Sequence, residues 1–179
     1  MTVVDIIHQE YSSIIEYLNE SNQPSLVSDI NRHFKKVLLL STASYFEHEI
    51  QEILIIFVAT KSNNNPMLIS LLKNKAITQQ YHTYFDWGEK NNPDKPRKNA
   101  NKFFSLFGVD FKEEMNKIIK EDEELNSSIQ SFVEIGHLRN ILVHSNFAAY
   151  DLETKTTDDI YNSYKNGLKF IDFLKERLK

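Results

Sequence analysis

The sequence predicts an all-α fold: one domain of four or more main helices, with extra short helices and one basic loop. Apolar residues recur at steps of three and four along most of the chain, the period of one helix face. Glycine and proline are scarce, four of each in 179 residues, whereas all-β folds need frequent turn residues. The length suits a single domain spanning 1–179, with enough core to fold alone. No internal repeat is visible.

From Val3 to Leu18 the stripe Val3, Ile6, Ile7, Tyr11, Ile14, Ile15 and Leu18 defines a first helix, closed by the polar run from Asn19 to Pro24. Ser28 or Asp29 can cap a second, running through Ile30, Phe34, Val37, Leu38, Phe46, Ile50, Ile53 and Phe57 to the polar stretch at Lys61. This is a helix of up to about thirty residues. Its turn from Val37 to Leu40 is apolar on every side, so it is expected to cross the centre of the domain. Met67 to Leu72 reads as a short helix, while Ile77 to Trp87 is rich in aromatics without a clean period. Glu89 to Asn101 holds two prolines, four asparagines and a local excess of basic residues, the composition of a surface loop.

Phe103, Phe104, Leu106 and Phe107 form an apolar cluster stopped by Gly108, and Val109 to Ile119 reads as another short helix. The acidic run ending at Glu124 fits a solvated turn or the first turn of the next helix, where carboxylates suit the dipole. That helix, about Glu123 to Val143, is apolar around most of its circumference and should be heavily buried. A last helix opens at Thr156-Thr157-Asp158-Asp159 and ends among Lys175, Arg177 and Lys179.

Composition removes several function classes. The formal net charge is -4, so there is no whole-molecule attraction to nucleic acid and any such contact must be local. The start, Met1 to His8, has no basic n-region and does not read as a signal peptide. The longest apolar run, around Ile53 to Ala59, is far short of a membrane span. A cytoplasmic protein with no membrane association is expected. Cysteine is absent, as are His-Glu-x-x-His, a glycine-rich phosphate loop, a Ca²⁺ loop and Gly-x-Ser-x-Gly. His137 and His144 share a helix face but stand roughly 10 Å apart, too far to ligate one small ion. No metal or other cofactor is expected.

What remains is a polar set inside the most apolar helix: His137, Arg139, Asn140 and His144. A permanently charged Arg there must meet a carboxylate, a phosphate or water, because burying it alone costs several kcal/mol. One reading is structural, with the Arg paired to a core acid and the His satisfying a helix end. The other is chemical. Arg-Asn-x-x-x-His toward the end of the penultimate long helix of a small all-α protein resembles the motif of HEPN-domain ribonucleases. Phe46-Glu47, the stretch from Phe103 to Gly108, and Arg139 to Ser145 are most similar to the RiboL-PSP-HEPN branch.

The resemblance implies an up-and-down bundle and a metal-independent endoribonuclease, a toxin or phage-defence effector. Two protomers would contribute Arg139, Asn140 and His144 to a shared cleft. RNA, such as tRNA, is the implied partner, with a homodimeric second copy and an antitoxin or other regulatory protein. A HEPN dimer without catalysis, binding RNA or protein, is the alternative. The chemistry fits independently: His144 can move a proton near neutral pH, Arg139 can hold phosphoryl oxygens bidentately, and Asn140 can orient phosphate or imidazole. On an ideal helix Arg139 and His144 point roughly 140° apart, so either the helix ends near His144 or the site is composite.

Supporting residues are weaker candidates. Glu47 can pair with Arg139 and fix its rotamer, or be a solvated surface acid. His137 can line the same cleft, or simply pack. Lys90, Lys95, Arg97, Lys98 and Lys102 can track RNA phosphates, or serve only solubility. Asn146 stands where related toxins often carry a Tyr, which counts against a tyrosine-modifying antitoxin.

Overall fold

The computed structural model describes residues 1–88, 98–152 and 155–179. In chain order the helices are α1 (Val3–Glu20), α2 (Pro24–Lys61) and α3 (Pro66–Leu72). A π-helical turn at Lys73–Ile77 follows, then α4 (Thr78–Gln80) and a 3-10 turn at Tyr81–Thr83. The remainder is α5 (Asn101–Ser105), α6 (Val109–Glu121), α7 (Glu123–Val143) and α8 (Thr157–Arg177). Among the described residues there is no β-strand; a single antiparallel bridge joins Asp86 to Asn99.

Side-chain caps start three of the four longest helices, α1, α7 and α8. Thr2 Oγ1 accepts from the Asp5 amide at 3.2 Å while Asp5 Oδ2 accepts from the Thr2 amide at 2.7 Å, a reciprocal box that opens α1. Thr156 and Asp159 repeat it at α8. Asp122 caps α7, its carboxylate accepting from the Leu125 amide at 2.8 Å. The second helix departs from expectation: it begins at Pro24 rather than at Ser28 or Asp29, and is 38 residues long. Proline at the first helical position has φ preset and no donor to lose there, so it starts the helix without a side-chain cap.

Cross-helix contacts give the topology. Thr2 and Asp5 meet Tyr164 and Tyr161, and His8 meets Asp158, so α1 runs against α8. Phe46 stacks on Tyr164, Glu49 pairs with Lys175, and Lys61 reaches the carbonyl of Lys179, so α2 runs with α8. Glu124 pairs with Lys169 and Ser131 accepts from Asn166, so α7 runs against α8. The four long helices thus form an up-and-down bundle. Gly167 permits a close approach within the bundle: a Cβ there would lie 2.7 Å from the Phe46 ring and 3.4 Å from the Phe132 backbone.

The core is Leu38, Leu39, Phe46 and Ile50 of α2, Phe103 and Phe104 of α5, Met115 of α6, Phe132 and Leu142 of α7, and Tyr164 and Phe170 of α8. Two expectations need correction. The turn at Val37 is only half enclosed, since Leu38 and Leu39 are fully buried while Val37 is 46% exposed. On α1 the buried residues are Val4, Tyr11 and Leu18, whereas Val3, Ile6 and Ile14 face outward, because neighbours lie along one side of that helix. On α7, Val143 at the last turn is likewise exposed.

Candidate active site

The polar set sits at the C-terminal end of α7. The helix stops at Val143, and His144 is its cap residue, with φ -88° and ψ 1°. Its amide still donates to the Asn140 carbonyl at 3.1 Å, but Asn146 then turns the chain, its side chain accepting from Ala148 and its carbonyl from Tyr150. His144, which is exposed, lines the same cleft as the half-buried Arg139 and Asn140. Both Arg139 and His144 thus reach one cleft within a single chain.

The cleft has a volume of about 450 Å³ and is lined by Ala43 and Glu47 of α2, Thr78 of α4, Tyr81 and His82 of the 3-10 turn, Trp87, and Gly136, Arg139, Asn140 and His144. Arg139 Nη1 donates to Asn140 Oδ1 at 3.1 Å. Among the described residues no carboxylate stands within ion-pair distance of Arg139. The structural reading, an Arg tied to a core acid, is thus not what these residues show. A guanidinium has five donors, and most of those on Arg139 are left for water or a ligand.

Trp87 forms one wall by resting on Gly136. A Cβ at position 136 would lie 2.0 Å from the indole ring, so only glycine admits it. The indole N–H donates to the His82 carbonyl at 2.8 Å, and the ring packs among Tyr81, Phe85 and Phe132. Burial, and then the Glu47 carboxylate, push the Tyr81 hydroxyl above its ordinary value, with the Arg139 charge pulling the other way. The Tyr81 hydroxyl thus feels both charges.

The loop after α7 is tied down by two lysines. Lys36, 2% exposed, donates from Nζ to the Phe147 carbonyl at 2.8 Å and lies over the Phe147 ring. Lys35 donates to the Leu152 carbonyl at 2.9 Å and pairs with Asp151 at 2.7 Å. These anchors hold the segment that begins at His144 against α2.

A family model, RiboL-PSP-HEPN, matches residues 5–179. The chain belongs to the RiboL-PSP-HEPN family. No curated protein and no solved structure gives a match. HEPN membership agrees with the all-α bundle and points to nuclease or RNA-binding function. HEPN domains commonly bind RNA and dimerise. Among the described residues no helix is long and apolar enough to cross a membrane.

Within this HEPN domain the candidates from sequence separate into three groups. Arg139, Asn140, His144 and Glu47 line one cleft. Glu47 is not ion-paired to Arg139; its Oε1 accepts from Gln51 at 3.3 Å. His137 points elsewhere, with backbone hydrogen bonds to Trp87 and Gly88 and the Lys98–Glu134 pair beside it. Burial and the Lys98 charge lower its pKa, with Glu134 and the backbone bonds opposing. Lys98 is engaged by Glu134 and Lys102 by Asp86. Lys90, Lys95 and Arg97 lie outside the described residues. Sequence reasoning missed Tyr81, His82, Trp87 and Lys36. Gly136, an unexplained glycine in mid-helix, was the available signal for a close approach to α7.

Proposed function

We propose that this HEPN domain is a metal-independent endoribonuclease acting through Arg139, Asn140 and His144. The observation that carries this reading is the cleft lined by Arg139, Asn140 and His144 together, in which Arg139 has no carboxylate partner among the described residues. His144 takes the proton of a ribose 2′-OH, whose oxygen attacks the adjacent phosphorus. Arg139 holds the non-bridging oxygens as charge builds on them, and Asn140 orients the guanidinium. The bond from phosphorus to the 5′-oxygen breaks, and that oxygen gains a proton. The products carry 2′,3′-cyclic phosphate and 5′-hydroxyl ends.

In-line displacement calls for a base and an acid on opposite sides of phosphorus, and one imidazole reaches one side. A second copy of the chain would bring another Arg139 and His144, which supports a cleft shared between two protomers. A role as an RNA-directed toxin or defence effector accords with such an activity. The test is analysis of product ends after incubation with cellular RNA and tRNA. Cyclic phosphate opposite 5′-hydroxyl supports the reading, whereas 5′-phosphate ends contradict it.

A further inference from the structure

We propose that the cleft is a guanine subsite, in which Glu47 reads the base on the 5′ side of the scissile phosphate. This rests on the ribonuclease reading of Arg139 and His144 and specifies its substrate. The lining falls into two chemical sets. Arg139, Asn140 and His144 suit a phosphate; Tyr81, His82 and Trp87 offer rings, and Glu47 of α2 adds a carboxylate to the same cleft. The volume of about 450 Å³ lies within the range of small-ligand sites.

Aromatic rings accept any base, because every base has a π face. Selection must therefore come from the polar group beside them. Glu47 is half-buried and, among the described residues, has no cationic partner; Gln51 is its one hydrogen-bond donor, on Oε1. An ionised carboxylate only accepts hydrogen bonds. Guanine alone offers two adjacent donors, N1–H and the N2 amino group, which match the two oxygens of a carboxylate. Adenine and cytosine each present one amino group beside an acceptor nitrogen, and uracil presents one N–H between two carbonyls, so each opposes a lone pair to Glu47. A buried acceptor left without its donor disfavours the wrong base.

The chain supplies its own reporter, since Trp87 is its single tryptophan and lines the cleft. The experiment is titration of the full chain with the 3′-monophosphates of guanosine, adenosine, cytidine and uridine, following Trp87 fluorescence. Guanosine 3′-monophosphate is expected to bind about 10-fold or more tightly than the other three. The isosteric Glu47→Gln is expected to erase that preference, its melting temperature confirming the fold. Equal affinities, no binding, or a guanine preference that survives in Glu47→Gln would overturn the proposal. Cleavage of RNA without guanine selectivity removes this inference and leaves the ribonuclease reading standing. Guanine-selective binding by a chain that cuts no RNA does the reverse.

Discussion

Gly136 and Trp87 are in contact so close that a methyl group on the glycine would stand 2.0 Å from the indole ring. The glycine costs α7 intrinsic helix propensity, about 1 kcal/mol relative to alanine on an exposed helix. In exchange the six-membered ring of the indole rests on the helix one turn before Asn140 and lines the same cleft as Arg139.

Gly136→Ala should therefore reverse the usual effect of adding alanine to a helix. Overpacking against the ring should destabilise the protein by about 1–3 kcal/mol and displace Trp87. Thermal denaturation and Trp87 emission measure both, and a more stable variant with unchanged emission would contradict the contact.

Arg139 is expected to act through its fork as well as its charge. Arg139→Ala should lower cleavage about 10³-fold or more, as loss of a transition-state donor does. Arg139→Lys keeps the charge but not the bidentate geometry and should recover only part of that loss. The comparison is made by single-turnover rates at saturating RNA.

Lys36 makes a different prediction, because it touches the loop rather than the cleft. Lys36→Met keeps the stem but removes the donor to the Phe147 carbonyl. Stability should fall by about 1–3 kcal/mol, and cleavage should fall with it, as the chain just after His144 loses its anchor. Hydrogen exchange of the amides from Ser145 to Leu152 would report the loosening directly.

Asp5 predicts a dependence on acid. Burial opposes its charge, but the Thr2 backbone, the Tyr161 hydroxyl, the Thr2 side chain and Lys165 together hold its pKa at about 2, below the ordinary 3.8. A carboxyl depressed on folding stabilises the native state above its unfolded pKa, and that contribution fades as pH falls toward the folded value. The stability advantage of wild type over Asp5→Asn should thus be full near neutrality and shrink between about pH 4 and pH 2. Denaturant midpoints across that range measure it, and a constant difference would contradict the linkage.

How far the sequence could be read follows the regularity of each segment. The bounds of α7 were legible from the span of its apolar residues, and the start of α8 because Thr156 is a hydroxyl cap followed by acids. The start of α2 was not, because Pro24 opens a helix by conformation alone. The aromatic wall escaped the periodicity because Lys73–Ile77 is π-helical and Tyr81–Thr83 is 3-10, neither of which repeats at 3.6 residues. Arg139, Asn140 and His144 were visible as a motif, whereas the walls around them come from tertiary packing, and the loop after His144 is held in part by Lys36. A lysine in a helix ordinarily reads as solvated, so its burial gave no warning.

The central claim is that His144, in the same cleft as Arg139, moves the proton in RNA cleavage. The most direct test is incubation of cellular RNA and tRNA with wild-type protein and with His144→Ala in excess EDTA. The account predicts cyclic-phosphate products from wild type and none from a variant that remains folded, as judged by circular dichroism. Equal cleavage by the two proteins, or intact RNA with both, would contradict it.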